Sequence, residues 1–178
     1  MTEQAKGKTA LLLIDIQQGL IDSPEGLHEA SATIGRCADL LTRARAAGIP
    51  VLHVQHNEPG SELDRNDPGW LTHPSVAPAK GEPVFEKTTS SAFIDGALDK
   101  HLRVAGITDL VIAGLQTDYC IDTNCRVARN LGYRVTLAKD AHSTYDGSGL
   151  TAAQIITHHN RVLGSSTVTL KPAAEITF

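Results

Sequence analysis

The sequence is poor in aromatic residues, which make up 4% of its 178 positions, and it holds one Trp, one Met and three Cys. An odd, small number of cysteines excludes a disulfide framework. No CxxC pair and no Cys/His spacing of the zinc type is present. The 16 Lys and Arg form no basic run and are outnumbered by 20 Asp and Glu, for a formal net charge of −4. That balance lacks the electrostatic footprint of a nucleic-acid binder and the polybasic patch that anionic lipid would need. No apolar stretch approaches the ~18 residues of a membrane span. The opening "MTEQAKGKTALLLIDIQ" is not expected to act as a secretory leader, since its apolar run is short and contains Asp15. A cytoplasmic protein with reduced thiols is the expectation.

There is no internal repeat and no low-complexity linker, so residues 1–178 read as one domain, alternating apolar strands with amphipathic helices. "TALLLID" (9–15) has the continuous apolar run of a strand buried on both faces. Residues 30–47 set Ile34, Ala38, Leu41 and Arg45 on one stripe, ended by Gly48 and Pro50. "VLHVQH" (51–56), "PVFEK" (83–87), "DLVIAG" (109–114), "YRVTLA" (133–138) and "STVTL" (166–170) are five further strands. Helices are expected around Ile94, Leu98, Leu102 and Ala105, from about Tyr119 to Leu131, and after Thr151, whose spacing to Gln154 is that of a capping box. Residues 57–82, rich in Pro, Gly, Asp and Asn, form a long excursion expected to cover the site or reach a neighbouring subunit. Such alternation predicts a three-layer αβα, Rossmann-like α/β fold with a mostly parallel six-stranded sheet. In such sheets sites form at the carboxyl ends of the strands.

Three of those ends carry chemistry. The first strand ends at Asp15, the third at Lys87, and the fourth runs into "AGLQTDYCIDTNCR", with Cys120 where strand gives way to helix. A helix N-terminus and a neighbouring ammonium favour a thiolate. A carboxylate can take the thiol proton and return it to a leaving amine, and backbone N–H groups can hold an oxyanion. The set suits attack on an amide or acyl carbon through a thioester. Gln17 is placed to orient Asp15, touch substrate or make a structural hydrogen bond. Tyr119, Trp70 and Tyr145 are candidates for the pocket wall. His142 is a rival base of lower rank. His56 and Glu58 form the one attractive metal pair, whereas His53 faces the other way. His158 and His159 are expected at a surface or subunit contact, and Cys37 and Cys125 in the packing.

"LLLIDIQ", "EK" before "SAF", and "AGLQTDYCIDT…A…LGYRV…DA" resemble the isochorismatase-like cysteine hydrolase superfamily from about residue 9 to 170. The resemblance implies a catalytic triad of Asp15, Lys87 and Cys120. It also implies a cis Leu115–Gln116 peptide that sets the Gln116 and Cys120 N–H groups together as an oxyanion hole, and a homo-oligomer. Cys120 favours the amidase side of that superfamily, among nicotinamidase, carbamoylsarcosine amidase, streptothricin hydrolase and ureide-cleaving relatives. Its nicotinamidases carry an Asp-x-His metal motif that "HVQHNEPGSEL" does not reproduce. The implied function is hydrolysis of a C–N bond in a small amide or ureide, with no cofactor and no metal. Hydrolysis of a non-amide bond, and an inactive binding or assembly module of the same fold, are the alternatives. A nucleotide-binding domain is set aside because no GxGxxG or GxxxxGK[ST] is present.

Overall fold

A computed structural model describes residues 7–178; the first six residues, part of the opening read above as no leader, lie outside the described residues. Six strands form one sheet in the order β3-β2-β1-β4-β5-β6, and every adjacent pair is parallel. They are β1 (Lys8–Ile14), β2 (Val51–His56), β3 (Val84–Lys87), β4 (Ile107–Leu115), β5 (Arg134–Ser143) and β6 (Thr169–Lys171). The helices are α1 (Gln18–Ile21), α2 (Ala30–Ala46), α3 (Ala97–Val104), α4 (Asp122–Asn130) and α5 (Ala152–Ser166).

The pleat of β1 explains the layering, because successive side chains leave on opposite faces. Ala10, Leu12 and Ile14 pack with Leu98 and Leu102 of α3, Cys125 and Ala128 of α4 and Leu163 of α5. Leu11 and Leu13 pack on the other face with Cys37, Leu40, Leu41 and Ala44 of α2. Both outer cysteines therefore serve as core residues, and both are free thiols. Where β4 passes β1, Gly114 has φ +131°, and a Cβ there would lie 2.0 Å from the Ile14 carbonyl oxygen. Only glycine allows that approach.

Several boundaries differ from the sequence reading. Ile94 is 69% exposed and precedes α3, which starts after Gly96 in a left-handed conformation. Arg45 leaves the buried stripe of α2 to pair with Glu82. The helix expected from Tyr119 opens instead with a π-helical turn over Thr117–Ile121. β5 continues to Ser143, past a register shift against β4, so His142 lies within a strand. α5 runs through Ser166, which shortens the last strand to three residues. The capping box of Thr151 and Gln154 is formed in both directions.

Candidate active site

The carboxyl ends of β1, β2 and β4 open onto a cavity of about 630 Å³, and Lys87 at the end of β3 stands behind its wall. Asp15 follows β1 and turns the chain with φ +51°. Positive φ is uncommon for a residue with a Cβ, and Asp is among the few that tolerate it. Its backbone N–H donates to Val54 and its side chain is almost wholly buried. The Lys87 ammonium spends its three donors on three neighbours. They are Asp15 Oδ2 at 2.7 Å, His56 Nδ1 at 3.0 Å and Cys120 Sγ at 3.2 Å. Asp15 Oδ1 is buried and has no hydrogen-bond partner among the described residues. Asp15, Gln116, Tyr119, Cys120 and His56 all line the cavity, and the Leu115–Gln116 peptide is cis.

The electrostatics differ from the expectation of a resting thiolate. Burial, followed by the Asp15 carboxylate, pushes the Cys120 thiol up to about 12, outweighing the Lys87 ammonium. Burial also raises Asp15, against the pull of Lys87. Burial and Lys87 lower His56, leaving a neutral ring that accepts at Nδ1. The site therefore holds a protonated thiol beside the Asp15–Lys87 pair.

Three residues expected at the site have other placements. Gln17 is fully buried and does not line the cavity. Its amide accepts from the His56 N–H and donates to the carbonyls of His56 and Trp70, which ties the excursion to the end of β2. Trp70 is likewise absent from the wall; its carbonyl receives Gln17 and Gln55. His142 is buried behind the π turn, where Nδ1 meets the Thr117 hydroxyl at 2.8 Å and Nε2 meets Asn160 Oδ1 at 3.1 Å. Among the described residues it makes no hydrogen bond to Cys120, and burial drives it down to about 4. His158 and His159, by contrast, line the cavity, and His159 Nδ1 lies 3.1 Å from Asp122. His53 points to the opposite face, to Glu82. Among the described residues no group of three or more His, Cys, Asp and Glu could hold a metal ion.

Sequence reasoning missed Asn124. It is fully buried in α4, donates to the carbonyls of Cys120 and Ser90, and accepts the Ala92 N–H. It thereby fixes the turn that carries Cys120 to the segment after Lys87. Its position one helical turn beyond Cys120 was the available signal. The excursion sends Glu58, Glu62 and Leu63 to the cavity, and the segment after β5 sends Thr144 to Ser148.

No helix of the described residues is long and apolar enough to cross a membrane. Residues 9–162 match the Isochorismatase domain model. A streptothricin hydrolase of Streptomyces noursei is 39% identical over 138 residues, 77% of this chain and 50% of that protein. The chain spans about half the length of the streptothricin hydrolases it matches. A ureidoacrylate amidohydrolase of Variovorax paradoxus is 26% identical, covering 83% of this chain and 73% of that one. The crystal structure of an isochorismatase from Pseudomonas putida superposes with a TM-score of 0.91 at 30% identity, over 95% of this chain and 90% of that chain. With a family match over most of its length and the same fold, this chain belongs to the isochorismatase family of hydrolases.

Proposed function

We propose that the chain is a cysteine amidase that hydrolyses a C–N bond of a small amide or ureide through a Cys120 thioester. The observation that carries this reading is the buried contact of one ammonium, Lys87, with both Asp15 and Cys120 at the wall of a substrate-sized cavity. Asp15 takes the Sγ proton as sulfur attacks the carbonyl carbon. Its unpartnered Oδ1 is available for that proton. Lys87 holds the carboxylate in place and stabilises the sulfur anion as it forms. The backbone N–H groups of Gln116 and Cys120 receive the oxyanion. When the C–N bond breaks, Asp15 passes its proton to the leaving nitrogen. A water molecule, deprotonated by Asp15, then adds to the thioester and releases the acid and the thiol. The mechanism as written needs no cofactor. The amidohydrolase and streptothricin hydrolase relatives support C–N hydrolysis over vinyl-ether cleavage. A homo-oligomer working in the cytoplasm belongs to the same reading.

The experiment measures release of ammonia or amine from a panel of small amides, carbamoyl compounds, ureides and lactams. Wild type is compared with Cys120→Ala and Asp15→Asn. Loss of a nucleophile that acts as part of a unit typically costs ~10⁴-fold or more in kcat. Turnover of one class that vanishes in both variants supports the reading. Turnover that survives Cys120→Ala overturns it.

A further inference from the structure

The cavity walls carry a marked charge imbalance. Six carboxylates line the cavity, those of Asp15, Glu25, Glu58, Glu62, Asp118 and Asp146. Among the described residues no Lys or Arg lines it, although the chain has 16 of them. Lys87 stands just behind the wall and offsets Asp15 alone, which leaves five. Asp118 accepts from the Thr144 hydroxyl and Asp146 from the Ala152 N–H, both neutral donors. Glu25, Glu58 and Glu62 form no ion pair among the described residues. These three arrive from two separate segments, the turn after α1 and the excursion after β2. The phenol of Tyr145 is raised by burial first, with Glu25 and Glu62 both adding, so the two carboxylates share its end of the cavity. Glu58 acts on His56, nearer the thiol.

A ring of acids alone would define no ligand site. Here it lines a cavity whose floor holds a buried, unpartnered carboxylate oxygen, Asp15 Oδ1. Glu25, Glu58 and Glu62 stand at the solvent-exposed rim of the cavity, and charges of one sign gathered around a cleft focus a field that draws in a cation. A substrate carboxylate would meet the same field with the opposite sign and be excluded. Exposed Tyr119 and half-buried Tyr145 add aromatic rings to this wall, the surface that an alkylammonium or guanidinium favours.

We propose that the cavity selects substrates that carry a positive charge, an amine or a guanidinium, at the end remote from the bond that is cleaved. This rests on the reading of the cavity as the substrate site beside Cys120. It goes beyond that reading in naming the charge of the substrate, with Glu25, Glu58 and Glu62 as the residues that set it.

The test needs no known substrate. Cys120 is modified at pH 8 by three methanethiosulfonates of matched chemistry: aminoethyl (cationic), methyl (neutral) and sulfonatoethyl (anionic). In each case Sγ forms a disulfide with the reagent sulfur and methanesulfinate leaves. Each rate is divided by that of free 2-mercaptoethanol and then by that of the neutral reagent. Cys120→Ala establishes which modification belongs to Cys120, since Cys37 and Cys125 are fully buried. The expected result is a cation-to-anion ratio of ~10 or more at low salt. The ratio should fall towards unity near 1 M NaCl, where screening is nearly complete. Changing Glu25→Gln, Glu58→Gln and Glu62→Gln together should abolish most of the preference. A ratio within about twofold of one at low salt, or a preference for the anion, overturns the proposal using wild type alone. A preference that survives the triple substitution overturns the assignment of these residues. Cationic preference without turnover of any amide would sink the amidase reading and leave the cavity's selectivity standing; amide turnover without it would do the reverse.

Discussion

Lys87 reaches across the end of β2 to place its ammonium 2.7 Å from the carboxylate of Asp15, although β3 and β1 are not neighbours. Two strand spacings amount to ~10 Å, and the long lysine side chain spans them at the carboxyl edge, above His56. The imidazole of His56 stands at the crossing and accepts from the ammonium on the way. β2 thus supplies the support that lets an outer strand serve a central one.

This pair makes a prediction about stability. Lys87→Met removes the cation and leaves Asp15 buried and unpaired, which typically costs ~3–5 kcal/mol. Adding Asp15→Asn removes the stranded charge, so the double variant should be more stable than Lys87→Met alone. Urea unfolding of the two singles and the double gives the coupling. If the single costs less than ~1 kcal/mol and the double restores nothing, the pair is not the structural unit described.

The protonation of Cys120 gives a second. Its thiol stands above the ordinary 9.0, pushed to about 12 by burial and by Asp15, so the uncharged form dominates at neutral pH. Alkylation by iodoacetamide should therefore rise about tenfold per pH unit from 7 to 9, with no plateau. The sign is set by the raised value: the thiolate fraction at pH 7 is smaller than that of a free thiol. A plateau below pH 8 would mean that Lys87 outweighs burial and that the thiolate is the resting form.

A third concerns His142, which sequence reasoning considered as a rival base. Burial lowers it from 6.5 to about 4, with Asn160 and Asp140 opposing and His159 assisting. A folded value below the unfolded one means that the neutral ring stabilises the fold above pH 6.5. That contribution is lost as the pH falls towards and through about 4. The shift corresponds to about 3 kcal/mol. Chemical unfolding at pH 7 and pH 4 should show that much of the acid loss absent from His142→Gln. Equal acid loss in the two proteins would assign it to other groups.

The sheet and its helices were legible because both faces of a parallel sheet are buried. "TALLLID" and "DLVIAG" could not be surface strands, and the capping box at Thr151 marked a helix start that the structure forms atom for atom. The ends of three strands located Asp15, Lys87 and Cys120, since a charged or nucleophilic residue there has no packing reason to follow an apolar run. What local pattern could not carry was the π turn at Thr117–Ile121, the true placement of Gln17 and Trp70, and the role of Asn124. Each depends on a partner 30 or more residues away, or on a hydrogen bond whose acceptor is backbone and therefore blind to residue type.

The sequence by itself determined which side chains exist at the carboxyl edge and, through hydrophobic periodicity, which strands deliver them. Only the tertiary structure decided the charge state of Cys120 and the company that all of them keep. Burial set Cys120 as a thiol instead of a thiolate, because the loss of water around sulfur outweighs a single ammonium at 3.2 Å. Chain folding also brought Glu25, Glu58 and Glu62 from two segments to one wall, and a charge field in a cavity is a sum over space that no linear spacing records.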